Sequence, residues 1–186
     1  MPGAGKSTIA QAAQRILGPS CLIVGMDGFH LPLADLRARP DAEDAIYRRG
    51  APDTFDPAGL RESLETMRDC NGPDSVVFPG FDHAVGDPTA EGVRFERGSH
   101  RLVIVEGLYL LHDGDNWAGT AALFDLTVFL QTDIETCVAR VKARNLCIPG
   151  YTPEEIEVRT EKVDRANAVT VSASESRADM IISQST

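Results

Sequence analysis

Gly3-Ala4-Gly5-Lys6-Ser7-Thr8 is the working end of a phosphate-binding loop, a device that functions only where a strand hands over to the first turn of a helix. The full pattern is Gly-x-x-x-x-Gly-Lys-Ser/Thr, and counting back from Gly5 puts its first glycine one position before Met1. Backbone N–H groups from Gly3 to Thr8 are expected to point into one concavity. Lys6 would reach terminal phosphates there, and the Ser7 hydroxyl would ligate Mg²⁺. Glycine is needed at Gly3 and Gly5 because a Cβ would block close approach of a polyphosphate. Ile9, Ala12, Ala13, Ile16 and Leu17 then recur at helical spacing, and Gly18-Pro19 stops the helix.

Four short apolar runs read as strands buried on both faces: Cys21 to Met26, Leu102 to Val105, Leu126 to Leu130 and Met180 to Ile182. Helical segments separate them, so the fold class is α/β with a mainly parallel sheet. Thr132-Asp133-Ile134-Glu135 is a capping-box pattern opening a helix to about Arg144. Thr152-Pro153-Glu154-Glu155 is a second, with Pro at the first helical position. Asp56-Pro57 opens a helix to about Asp69, before the Asn71-Gly72 turn. The stretch between Asp27 and Leu102 is rich in Gly, Pro and Asp and too long for a plain connection, so it is expected to build a substrate site.

With 186 residues, 42% of them hydrophobic, the chain can bury one sizeable core, which predicts a single domain over 1–186. Its net charge of −10 opposes broad contact with nucleic acid or anionic lipid, so a phosphate ligand must be held by a few placed cations. The four cysteines lack Cys-x-x-Cys spacing, and free thiols in a reducing compartment are expected. No apolar run approaches the roughly 20 residues that span a membrane, which makes the cytoplasm the default location and leaves room for a homo-oligomer.

Asp27 directly follows the first strand and Glu106 follows the second, the position where open α/β sheets bind ligands. Two acids ending two strands beside a polyphosphate form a Mg²⁺ and general-base pair: Asp27 could take a proton from an acceptor hydroxyl, with Ser7, Asp27 and Glu106 around the metal. Arg140 and Arg144 share one helix face and could clamp a transferring phosphoryl group, with Pro149-Gly150 beyond them as a hinge. Two further segments, 48–56 and 79–88, crowd charged and aromatic groups into Gly/Pro loops suited to a polar small molecule. No Asn-Lys-x-Asp guanine-reading sequence is present, which argues against a GTPase-type regulator.

In order along the chain, Pro2 to Thr8, Met26-Asp27-Gly28-Phe29-His30, Arg49 to Asp56, Phe81-Asp82-His83 with Asp87-Pro88, Val105-Glu106-Gly107, Arg140 with Arg144, and Asp164 with Asn167 resemble the phosphoribulokinase, uridine kinase and pantothenate kinase superfamily, nearest its uridine-kinase-like branch. The resemblance implies a P-loop NTPase three-layer sandwich with a substrate-binding insertion at about 28–100 and a lid at about 140–165. It implies ATP and Mg²⁺ at Gly3, Ala4, Gly5, Lys6, Ser7 and Thr8, with Asn167 also on the nucleotide. Asp27 would be the base, Glu106 its acid support, and Lys6, Arg140 and Arg144 the charge stabilisers. Acceptor contacts are expected from His30, Arg49, Asp53, Phe81 and His83. His30 stands where uridine kinases usually carry Tyr, which weakens a nucleoside assignment, while Asp-Gly-Phe-His is similar to pantothenate kinases. The expected activity is ATP-dependent phosphorylation of a hydroxyl on a nucleoside, sugar or pantothenate-like metabolite. The alternative is a nucleotide-binding regulator or inactive kinase-like protein. In such folds the strand feeding the phosphate loop is central, so an apolar run of about six residues is expected upstream of Met1, the sheet of residues 1–186 lacking that strand.

Overall fold

A computed structural model describes residues 1–82, 84–114, 116–146 and 151–183. Helix α1 (Lys6–Leu17) begins on Gly5 in the left-handed conformation and ends at Gly18. Strand β1 (Cys21–Gly25) follows, and a tight 3₁₀ turn over Met26–Phe29 carries Asp27 off its end. Helices α2 (Leu33–Ala38), α3 (Ala42–Tyr47) and α4 (Pro57–Arg68) come next, α4 starting on Asp56, whose carboxylate accepts the Gly59 N–H. Strands β2 (Ser75–Asp82) and β3 (Asp87–Glu96) form an antiparallel hairpin with a register shift between Phe78 and Gly80. Then come β4 (Leu102–Glu106), β5 (Val128–Gln131), α5 (Ile134–Asn145) and α6 (Pro153–Arg159). A π-helical turn over Thr160–Asp164 leads into α7 (Arg165–Ser172), and β6 (Met180–Ser183) is last.

β1 pairs in parallel with β4, Cys21 opposite Leu102 through Gly25 opposite Glu106. β5 pairs in parallel with β6, Val128 opposite Met180. Among the described residues the two parallel pairs share no ladder and stand as separate two-stranded sheets. The core gathers Leu22, Val24 and Met26 of the first strand region, Leu60 and Leu64 of α4, Phe78 of β2 and the fully buried Trp117.

Three sequence expectations are corrected. β6 is not buried on both faces: Met180, Ile181 and Ile182 are 48%, 46% and 39% exposed, and among the described residues β5 is their one ladder partner. The cap of α5 is Asp133, which accepts the Thr136 N–H, while Thr132 is buried with its hydroxyl unpartnered; only the box at Thr152 and Glu155 forms in full. Segment 79–88 is mostly hairpin rather than loop, its alternation broken by the irregularity after Phe78.

The hairpin lies directly on the turn that carries Asp27. A methyl on Gly28 would stand 2.1 Å from the Pro79 carbonyl oxygen, a backbone atom that cannot swing away. Gly28→Ala should therefore cost about 1–3 kcal/mol of stability, read as a lowered Tm in thermal unfolding. An unchanged Tm would show that the hairpin is free to lift.

Candidate functional site

The site is built where three backbone segments end together. Gly3 and Gly5 hold positive φ values of 75° and 86°, which an L side chain resists, and they bend the loop into α1. Gly5 gives no side-chain cap, so the first N–H groups of α1 face outward, with the partial positive charge of a helix start behind them. Lys6 Nζ donates to the Met1 carbonyl at 3.1 Å, folding back along the loop. Burial pushes its pKa down, against the opposing pull of Glu106 and Asp27. A partly desolvated cation of this kind gains strongly from an incoming anion.

Ser7 Oγ donates to Glu106 Oε1 at 2.8 Å, joining the start of α1 to the end of β4. Because Gly25 lies opposite Glu106 in the ladder, Asp27 emerges two residues beyond that pair on the neighbouring strand. Gly107 keeps the strands close, since a methyl there would meet the Met26 side chain at 2.5 Å. One cavity of about 560 Å³ is lined by Gly3, Gly5, Lys6, Ser7, Thr8, Asp27, Glu106, Arg140 and Arg144 together. Ala4 is turned into the core instead.

From α5, Arg140 Nη1 reaches the Gly3 carbonyl at 3.4 Å. Arg144, one turn on, lines the cavity and exerts its charge on both Lys6 and Asp164. Among the described residues no group of three or more His, Cys, Asp or Glu side chains gathers around a point. The oxygen donors Ser7, Asp27 and Glu106 nevertheless fit Mg²⁺, which takes one or two carboxylates and completes its shell with phosphate oxygens and water.

On the expected acceptor side, the His30 ring sits between Phe55 and Phe81, with centroids at 4.0 and 4.7 Å. Its Nδ1 lies 2.8 Å from the Asp27 carbonyl oxygen, which requires the proton on Nδ1. The Arg49 guanidinium lies 5.7 Å from the Phe81 ring centroid, donates to the carbonyls of Leu31 and Gly86, and pairs with Asp87 at 2.9 Å. Arg49, His30 and Phe81 are thus brought to one wall. Asp53 is engaged elsewhere: Arg48 and Arg39 both hold it, and the Arg48 hydrogen bond keeps its pKa below the ordinary carboxylate range. Asn167 is buried on α7 beside Gly50 and does not line the cavity. His83 and the Pro149-Gly150 hinge lie outside the described residues.

Two contributors were missed in reading the sequence. Arg159 donates to the Arg49 carbonyl at 3.1 Å and approaches Asp164 at 3.5 Å, tying α6 to the acceptor wall. Burial raises the pKa of Asp164 despite that arginine. Tyr109, three residues after Glu106, is buried and donates its hydroxyl to the Gly50 carbonyl at 2.6 Å. An aromatic so soon after a strand end was the signal available for Tyr109. Nothing local marks Arg159 among the other arginines.

The model of the phosphoribulokinase / uridine kinase family matches residues 1–186. The chain belongs to this family. Among curated relatives, the ATP-dependent kinase-like protein notR' of Aspergillus versicolor is 42% identical over 131 residues, covering 69% of this chain and 75% of that protein. A protein of Schizosaccharomyces pombe provisionally named uridine kinase C227.14 is 34% identical over 190 residues, covering 98% of this chain and 80% of its own. Among solved structures, a kinase provisionally assigned to fructose transport in Silicibacter sp. TM1040 superposes with a TM-score of 0.83 at 30% identity, covering 97% of this chain and 85% of its own. This member of the phosphoribulokinase / uridine kinase family therefore has the α/β fold of P-loop kinases. Membership supports a nucleotide-binding phosphotransferase and implies use of ATP, typically with Mg²⁺. No described helix is long and apolar enough to cross a membrane.

Proposed function

We propose that the chain transfers the γ-phosphate of ATP to a hydroxyl of a small polar metabolite, a nucleoside, sugar or pantothenate-like compound. The observation that carries this reading is the shared cavity, in which a phosphate loop, two strand-end carboxylates and two arginines face the same space. A cavity that only bound nucleotide would not need an exposed carboxylate, Asp27, set between the phosphate loop and a separate aromatic wall.

In this reading the loop N–H groups and Lys6 bind the β- and γ-phosphates of the donor. Asp27 takes the proton from the acceptor hydroxyl as its oxygen bonds to the γ-phosphorus and the bond to the β-phosphate oxygen breaks, releasing ADP. Glu106 holds the Ser7 hydroxyl in place. Mg²⁺ on Ser7 and the carboxylates supplies charge neutralisation on the phosphates when bound. Arg140 and Arg144 stabilise the charge that spreads over the equatorial oxygens. His30, Phe81 and Arg49 form the acceptor wall, with the His30 ring held by its Nδ1 bond to the Asp27 carbonyl.

The test is ADP release from ATP and Mg²⁺ with a panel of sugars, nucleosides and pantothenate. Acceptor-dependent turnover is expected with one class. Nucleotide binding without acceptor-dependent turnover across the panel would overturn the reading in favour of a regulator.

Two variants separate the roles. Arg144→Lys keeps the charge but loses the planar fork, so kcat should fall by about tenfold or more with acceptor KM little changed. Parent-like kinetics would reduce Arg144 to a solvated helix residue. Arg49→Met removes the pair to Asp87 and the stacking on Phe81, and should raise acceptor KM several-fold while ATP affinity holds. A loss confined to ATP affinity would place Arg49 on the wrong side of the site.

A further inference from the structure

Asp164 closes the π-helical turn between α6 and α7 and does not line the phosphate cavity. The turn decides what it faces. At 3.6 residues per turn, Arg159 and Asp164, five positions apart, would point about 140° away from each other. In the π turn the Arg165 N–H bonds to the Thr160 carbonyl, five residues back, and the wider winding brings Arg159 and Asp164 to one side. Arg159 Nη1 lies 3.5 Å from the Asp164 carboxylate, whose side chain is 14% exposed. Asn167, three residues on, shares that face, and its side-chain nitrogen would stand 3.6 Å from a methyl on Gly50.

This face looks onto the backbone of Arg49 and Gly50. Arg159 Nη2 donates to the Arg49 carbonyl at 3.1 Å, and the Tyr109 hydroxyl donates to the Gly50 carbonyl at 2.6 Å. Two successive carbonyls are therefore held, one from α6 and one from the segment after β4. From that fixed backbone the Arg49 guanidinium reaches the carbonyls of Leu31 and Gly86 and the carboxylate of Asp87.

We propose that Asp164 is a positioning residue for the acceptor wall: its carboxylate sets Arg159, and Arg159 sets the backbone from which Arg49 projects. The proposal rests on the reading of His30, Arg49 and Phe81 as the acceptor side of a phosphotransferase. Its cost to the fold separates this role from plain packing. Burial raises the pKa of Asp164 against the opposing pull of the charges that face it among the described residues, Arg159 from α6 and Arg144 from α5. An acid whose pKa rises on folding holds its proton more tightly in the folded chain than in the unfolded one. Its ionised form therefore costs stability above the folded pKa, and that cost disappears as the pH falls below the unfolded value. A carboxylate kept at a cost to stability is typical of a functional site.

The test uses Asp164→Asn, Arg159→Met and the double variant in the full chain. Asn has the shape of the protonated acid and carries no charge, so Asp164→Asn should melt at or above the parent Tm at neutral pH. Hydrogen exchange at the Gly50 and Ala51 amides, which donate to Thr54 Oγ1 and the Arg48 carbonyl, should quicken about threefold or more in each variant. With the acceptor found in the panel, acceptor KM should rise about fivefold or more while nucleotide affinity stays within about twofold. The double variant should be no worse than the poorer single one, since both act through one contact. A Tm below the parent's with parent-like exchange at Gly50 and Ala51 would make Asp164 a packing residue and overturn the proposal. Effects that add in the double variant would overturn it too. Arg159 is 34% exposed, so Arg159→Met can be read even where Asp164→Asn does not fold, and parent-like exchange in it alone would be enough to overturn the link. Exchange and Tm need no acceptor: if nothing in the panel turns over, the phosphotransfer reading falls while exchange still judges the link.

Discussion

Asp27→Asn is expected to lower kcat by about 10²–10⁴-fold while leaving ATP affinity and Tm close to the parent values. The amide keeps the size and shape of the carboxylate and loses only its ability to take a proton. Asp27 is exposed near the start of the 3₁₀ turn, so the change leaves the buried packing around it intact. Its carbonyl, which the His30 ring contacts, is untouched by the substitution. Steady-state kinetics with the acceptor found in the panel, alongside nucleotide titration, checks both halves. Turnover within about twofold of the parent would remove Asp27 from the chemistry and leave it as a turn residue.

Trp117→Ala should cost about 3–5 kcal/mol, the range for deleting a large buried aromatic, and lower Tm by roughly 10 °C. Trp117 is fully buried, packs edge-on against Phe55 at 6.0 Å, lies tilted against Tyr109 at 5.7 Å, and donates Nε1 to the Pro52 carbonyl at 3.1 Å. Phe55 in turn stacks on His30, so the loss should also loosen the acceptor wall. Trp117→Phe would keep most of the buried area and lose the hydrogen bond, and should cost about 1–3 kcal/mol. Thermal and denaturant unfolding of both variants measures the difference. A Trp117→Ala protein within about 1 kcal/mol of the parent would mean that the aromatic cluster can close over the gap.

The phosphate loop, α1, α4 and the capping box of α6 were legible in the sequence because each is written in local chemistry: a glycine pair before Lys-Ser, Asp before Pro, Thr three residues before Glu. Asp27 and Glu106 were legible for a related reason, since each directly follows an apolar run. What local reading missed depends on partners far along the chain. The exposed β6 has one ladder partner among the described residues, and the engagement of Asp53 follows from the reach of Arg39 and Arg48 around it. The β2–β3 hairpin was hidden because Pro79 and Gly80 interrupt its alternation at the irregularity. Arg159 was hidden because its task is a carbonyl 110 positions away in the chain.

The contact beneath Gly3 has a mechanical consequence. A methyl at Gly3 would stand 2.5 Å from the Cys137 carbonyl oxygen and 3.2 Å from the Val141 side chain, so the phosphate loop rests directly on α5. Arg140 follows Cys137 by three residues on the same helix and contacts the Gly3 carbonyl. Loop, helix and arginine are therefore one rigid strut, and pulling α5 outward would drag the loop with it. Farther along the chain α6 meets α5 through an exposed Lys142–Glu157 pair, a contact that water can readily replace. The floor of the phosphate loop is thus fixed to a packed helix, while α6 is joined to that helix by a wet charge contact.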